Sequence, residues 1–159
     1  MADLGTGSGA ILVGFLYYCR DAVGVGVDIS TEALKIAEEN GQNLKITDRV
    51  EWRQGDYLKA FDEEDIFDGI FSNPPYIPTK DIGGLSREVK HEPRLALDGG
   101  TDGLYFYHLL AKGAAEHLKP GGFLAVEFGI GQATDILEMF RKSAQYEDCL
   151  LYTSDAADD

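Results

Sequence analysis

Short apolar runs alternate along the chain with longer stretches in which apolar residues return every third or fourth position. The short runs, at residues 1–4, 23–28, 50–53, 67–72 and 123–128, predict strands, with a weaker one at 148–152. The longer stretches predict helices over 9–20, from Ser30 or Thr31 to about residue 40, over 103–118, and over 132–143. Lys119-Pro120-Gly121-Gly122 reads as a turn, and residues 77–102 as a long polar loop. Strands alternating with helices of this length predict βαβ units, hence an α/β domain with a mostly parallel sheet and helices on both faces. A structureless loop of about 25 residues is uncommon inside a compact domain and points to function or mobility. Both ends look cut: a buried first strand wants about five residues, and the closing TSDAADD carries no apolar pattern. The expectation is a fragment truncated at both ends, with a domain over 1–147 and an atypical tail over 148–159.

Composition changes this picture little, since 44% hydrophobic residues in a chain of 159 suffice for one globular core. Charge changes it more. Lys and Arg total 14 against 28 Asp and Glu, a formal charge of −14, which disfavours holding a phosphate backbone. The one basic cluster, Arg87, Lys90 and Arg94, reads as a solvated loop face. No apolar run reaches the ~18 residues of a membrane span, and the start lacks a basic signal-peptide region. Cys19 and Cys149 lie far apart, and His91, His108 and His117 are scattered, so no metal site is expected. A cytoplasmic location with two free thiols follows as the simplest reading.

Two stretches carry chemistry. Asp3-Leu4-Gly5-Thr6-Gly7-Ser8-Gly9 leaves a strand and enters a helix. Alternate glycines let the backbone turn tightly and approach a ligand, and the helix start behind them offers free N–H groups to an anion. Asp28 ends the second strand, where open α/β folds place an acid that accepts from ribose hydroxyls. A bare tight turn with Asp28 as a cap is the competing reading. The spacing is not that of dinucleotide binders, nor is there a triphosphate loop, so a nucleoside ligand such as S-adenosylmethionine fits best. Gly55-Asp56-Tyr57 offers a third contact, an acid for an adenine amino group and a ring for the purine, unless Tyr57 is simply a core residue.

The second stretch is FDGIFSNPPYIP, residues 67–78, a strand that ends in Asn73-Pro74-Pro75-Tyr76. Two prolines remove backbone donors and hold an extended shape. The result is a stiff run of carbonyl acceptors beside the Asn73 side chain and the flat Tyr76 ring. That set suits a planar NH2 group. The Asn73 side chain and the Pro74 carbonyl would take its two N–H bonds, and fixing it in line with a sulfonium methyl supplies orientation. A rigid strand-to-loop exit without chemistry is the alternative.

DLGTGSG, Asp28, SNPPYIP, EPRLALDGGTDGL at 92–104 and LKPGGFLAVEFGIGQ at 118–132 resemble, in that order, the PrmC/HemK family. These are three-layer, Rossmann-like class I methyltransferases that use S-adenosylmethionine to methylate the glutamine amide of peptide chain release factors. The resemblance covers about residues 3–147. It implies a cofactor held by Asp3, Gly5, Thr6, Gly7, Ser8, Gly9, Asp28, Asp56, Tyr57 and Asn73. It implies catalytic and substrate-binding roles for Asn73, Pro74, Pro75 and Tyr76, with a release factor as partner and neither nucleic acid nor membrane. Asn-Pro-Pro-Tyr is shared with adenine and guanine amino methyltransferases, and the 92–104 stretch narrows the reading. The family's N-terminal helical domain and final return strand have no counterpart in residues 1–159. A ribosomal-protein glutamine methyltransferase, a nucleic-acid amino methyltransferase and an inactive cofactor-binding fragment stand as alternatives.

Overall fold

A computed structural model describes residues 1–85 and 93–152. Arg87, Lys90, His91 and Glu92, together with the closing TSDAADD, lie outside the described residues. Five parallel strands form one sheet: β1 (Ala2–Leu4), β2 (Gly24–Asp28), β3 (Val50–Gln54), β4 (Phe67–Ser72) and β5 (Leu118–Val126). Their spatial order is β3-β2-β1-β4-β5, so the chain builds outward from β1 in one direction and then, through β4, in the other. The helices are α1 (Ala10–Tyr18), α2 (Thr31–Asn43), α3 (Tyr105–Gly113) and α4 (Ala133–Ser143).

Three-residue β1 is central and wholly buried, which is why it can be so short: it borrows its ladder from β2 and β4 on either side. Two apolar clusters form the layers. Leu12, Val13 and Leu16 of α1 pack with Ile46 and Trp52. Tyr107, Leu110 and Ala111 of α3 pack with Ile136 and Phe140 of α4 over Ile70, Leu4 and Val27. An alternating sheet between two helical layers is the arrangement the apolar pattern predicts. Ser30 caps α2, its hydroxyl accepting from the Ala33 N–H at 3.2 Å.

The structure departs from the sequence reading in four places. The helix expected over 103–118 is α for Tyr105–Gly113 and tightens to a 3-10 turn over Ala114–His117. The Lys119–Gly122 turn sits inside β5: Leu118 pairs with Phe67 and Phe123 with Gly69, so the residues between bulge out of the ladder. Residues 148–152 form no strand. The described residues of the loop from 77 are organised rather than structureless. Ile77 bridges Asp98 in parallel, and 3-10 turns occupy Ile82–Gly84 and Arg94–Ala96.

Candidate active site

Register brings the strand ends together. Leu4 pairs with both Val27 and Ser72, Asp28 with Gln54, and Ser72 with Val126. The glycine turn, Asp28, Gly55-Asp56 and Asn73 therefore all leave the sheet at its carboxyl edge. The strand order reverses between β1 and β4, and ligands of open α/β sheets settle in the crevice at such a point. A cavity of about 540 Å³ lies there, lined by the glycine turn and Asp3 together with Asn73, Pro74 and Tyr76. Ile11, Ile77, Leu85, Ala96 and Leu97 complete it as an apolar wall.

The turn is held by backbone bonds to the neighbouring strand: the Gly5 and Thr6 N–H groups both donate to Val27 O at 2.9 Å. Gly5, Gly7 and Gly9 all have positive φ. At Gly7 (φ +56°) a Cβ would be strained yet would meet nothing within 4 Å, so its backbone faces open space. Helix α1 starts behind it with no side-chain cap on its first N–H groups. Thr6 is buried and donates to Asp3 Oδ2 at 2.7 Å, while Ser8 O accepts from the Asn40 amide at 2.9 Å.

Asp3 is 1% exposed, and its Oδ1 has no hydrogen-bond partner among the described residues. Burial pushes its carboxyl up to about 6, the Thr6 bond opposing and the nearby Asp28 charge adding. An orphaned carboxylate oxygen beside a cavity is costly and fits a cationic ligand. Asp28 is already engaged: Oδ2 accepts from Gly7 N–H at 2.8 Å and Oδ1 from Ser30 N–H at 2.9 Å. It is both a clamp on the turn and a cap, and each oxygen keeps a second lone pair.

Asp56 and Tyr57 part company. Asp56 is exposed and pairs with Lys59 at 2.5 Å. Tyr57 does not reach the cavity wall. Its ring stacks on Phe106 at 4.6 Å in the core, and its hydroxyl lies 3.3 Å from Ser72 Oγ. A Cβ on Gly5 would meet that hydroxyl at 3.0 Å, so Tyr57 braces the turn from behind. Burial holds its phenol well above the ordinary range. A φ of +53° swings the side chain inward, which no spacing rule announces.

Asn73 is exposed at the cavity, Pro74 is buried, and Tyr76 is half-buried. The run is gripped at both ends. Ser72 O accepts from Glu127 N–H at 3.0 Å, and Ile77 N–H donates to Leu97 O at 3.1 Å. Thr79 Oγ1 donates to Asp98 Oδ1 at 2.6 Å, tying on the LDGG segment. Sequence reasoning missed two features. One is the apolar wall of Leu85, Ala96 and Leu97, which only the folded loop assembles. The other is Gln132, whose amide reaches Tyr76; its position just after the Gly129–Gly131 turn is the sole hint. Arg94, from the expected basic cluster, pairs with Asp98 at 3.4 Å. Among the described residues no metal-ligating cluster occurs, and no helix is long and apolar enough to cross a membrane.

Comparisons agree with this geometry. A methyltransferase from Pyrococcus furiosus superposes with a TM-score of 0.65 at 23% identity, over 89% of this chain and 61% of that one. An RNA methyltransferase from Salinibacter ruber, solved with S-adenosyl-L-homocysteine, gives 0.52 at 23% identity, over 82% and 66%. At such identities the likeness establishes the fold, the three-layer Rossmann-like sheet of class I methyltransferases. The release factor glutamine methyltransferase of Caulobacter vibrioides is 47% identical over 148 residues, 92% of this chain and 51% of the relative. The chain spans about half the length of the curated relatives it matches. Residues 1–150 match the family described as "Methyltransferase domain", and with fold and strand-edge cavity in agreement the chain belongs to that family.

Proposed function

We propose that this chain is the catalytic domain, over residues 1–147, of an enzyme methylating the glutamine side-chain amide in the Gly-Gly-Gln loop of peptide chain release factors, with S-adenosylmethionine as donor. One observation carries the reading: a nucleoside-type glycine turn with an orphaned buried carboxylate shares one cavity with Asn73, Pro74 and Tyr76. The names of the curated relatives support the choice of a release factor. Residues 148–159 are read as a tail outside this unit.

The residues present fit the donor. It supplies an electrophilic methyl on a cationic sulfur. Asp3 Oδ1 offers the unpaired acceptor that a cation needs, and the uncapped start of α1 offers N–H groups to a carboxylate. Gly5, Gly7, Ser8 and Gly9 keep the backbone close to it. Asp28 retains lone pairs for the ribose hydroxyls while bracing Gly7. Asp56 would accept from the adenine amino group, and Tyr57 supports the site through Gly5 rather than by stacking on the purine.

An amide nitrogen is a weak nucleophile because its lone pair is delocalised. The Asn73 side-chain oxygen and the Pro74 carbonyl accept its two N–H bonds, leaving density on nitrogen and fixing its orbital in line. Tyr76 covers the plane of the amide, and Ile77, Leu85 and Leu97 keep water away. The new bond is nitrogen to methyl carbon, the sulfur keeps the broken bond's electron pair, and one amide proton leaves. No histidine or lysine is among the described lining residues, so the proton departs late.

The test incubates the full-length gene product with a release factor and labelled donor, then maps methyl groups by mass spectrometry. Methyl on the glutamine of Gly-Gly-Gln is expected. Methyl on a ribosomal-protein glutamine instead would move the enzyme to that substrate, and methyl on a nucleobase would remove the amide reading altogether.

A further inference from the structure

We infer that Gln132 is a positioning residue that aims the Pro74–Tyr76 acceptors at the substrate amide, an inference resting on the amide-methylation reading above. Gln132 lies at the start of α4, 56 residues beyond Tyr76 in sequence. Its Nε2 donates to Tyr76 O at 2.9 Å and to Gly103 O at 3.3 Å, while its Oε1 accepts from Gly129 N–H at 2.9 Å. One side chain thus ties the exit of β4, the glycine loop before α3 and the turn after β5.

The tie acts on one peptide unit. The Tyr76 carbonyl is held by Gln132, and the N–H of the same unit, on Ile77, is held by Leu97 O. With both ends pinned, the plane cannot rotate. Two prolines upstream have fixed φ, which leaves few rotatable bonds between the pinned unit and the Pro74 carbonyl. Gly103 and Gly129 make room for the clamp. A Cβ on Gly103 (φ +78°) would come within 2.4 Å of Tyr76 O and 2.7 Å of Gln132 Nε2, and one on Gly129 within 2.9 Å of the Tyr76 ring. Gln132 itself does not line the cavity, so its effect travels through Tyr76.

Gln132→Glu separates this role from general support, because it keeps the acceptor for Gly129 N–H and removes both donors. In the full-length gene product, kcat for amide methylation should fall about 100-fold, the scale of a misplaced reacting group. The affinity for S-adenosyl-L-homocysteine, read by calorimetry, should change less than about twofold, and KM for donor should follow it. Exchange at the Ile77 amide should quicken at least about fivefold, one hydrogen bond's worth of opening, while Gly129 stays protected. Equal losses of kcat and homocysteine-product affinity would reduce Gln132 to structural support, and an unchanged kcat would end the proposal. If no amide substrate is found at all, faster Ile77 exchange still upholds the clamp, and unchanged exchange removes it.

Discussion

The two walls of the cavity are built in opposite ways. The wall proposed for the donor is mostly local: Asp3 to Gly9 hang on Val27 O and Asp28, residues of the adjacent strand, and brace one another through Thr6, with Asn40 on Ser8 and Tyr57 behind Gly5. The acceptor wall is assembled from afar. Asn73–Tyr76 are held by Leu97, Gly103, Gly129 and Gln132, partners from three other segments. A wall made of its own backbone tolerates change at a distance, whereas a wall made of remote contacts transmits it. Binding of donor and turnover should therefore respond to different substitutions.

The largest expected effect lies on the acceptor wall. Asn73→Ala should lower turnover by about 100- to 1,000-fold, as losing one preorganised polar partner does, while donor affinity drops only modestly. Steady-state kinetics beside calorimetry separates the two. Unchanged turnover would show that Asn73 does not grip the amide.

Next comes Asp3→Asn on the donor wall, which should show opposite signs for binding and stability. The folded carboxyl sits at about 6 against an ordinary 3.8. The fold binds this proton more tightly than the unfolded chain does, so its contribution is complete below pH 3.8 and lost as pH rises through about 6. Two units correspond to about 3 kcal/mol. The variant should be more stable than the parent in urea melts at pH 7.5, with little difference at pH 4. Its donor affinity at pH 7.5 should fall about tenfold. In the parent, donor affinity should weaken as pH drops below 6 and the carboxylate becomes neutral. A donor affinity indifferent to both pH and substitution would take Asp3 out of the site.

The smallest effect is expected at Asp56→Ala, about threefold in donor affinity, since its carboxylate is exposed and screened by water and Lys59. A loss beyond tenfold would mean that donor binding closes a structure around Asp56.

The same contrast explains what the sequence could tell. The shape of the glycine-turn wall was legible because a glycine turn between strand and helix, with an acid at the next strand's end, is a local pattern. β1, β2 and β4 were legible for the same reason, their apolar runs matching their burial, whereas β3 has no fully buried residue. Tyr57 was legible only as a choice between a purine contact and a core residue: its neighbour Asp56 faces solvent, and a positive φ accompanies the turn of its ring into the core against Phe106. Gln132 was hidden because its partners are far away in sequence. The 77–102 stretch looked structureless because the one bridge among its described residues, Ile77 to Asp98, joins positions with no strand pattern on either side. The bulge at Lys119–Gly122 read as a turn because a strand interrupted by Pro-Gly-Gly looks the same as a turn before a strand.

Pro74 and Pro75 have one further consequence, for how such a site persists. A β-ladder needs N–H groups, and these two residues have none. A neighbouring strand therefore cannot form a continuous two-way ladder along the stretch. Covalent structure thus limits the pairing of this run, while folded contacts aim it. Mutational drift can loosen the surrounding loop, but it cannot restore those two donors at the sheet edge beside the proposed amide site.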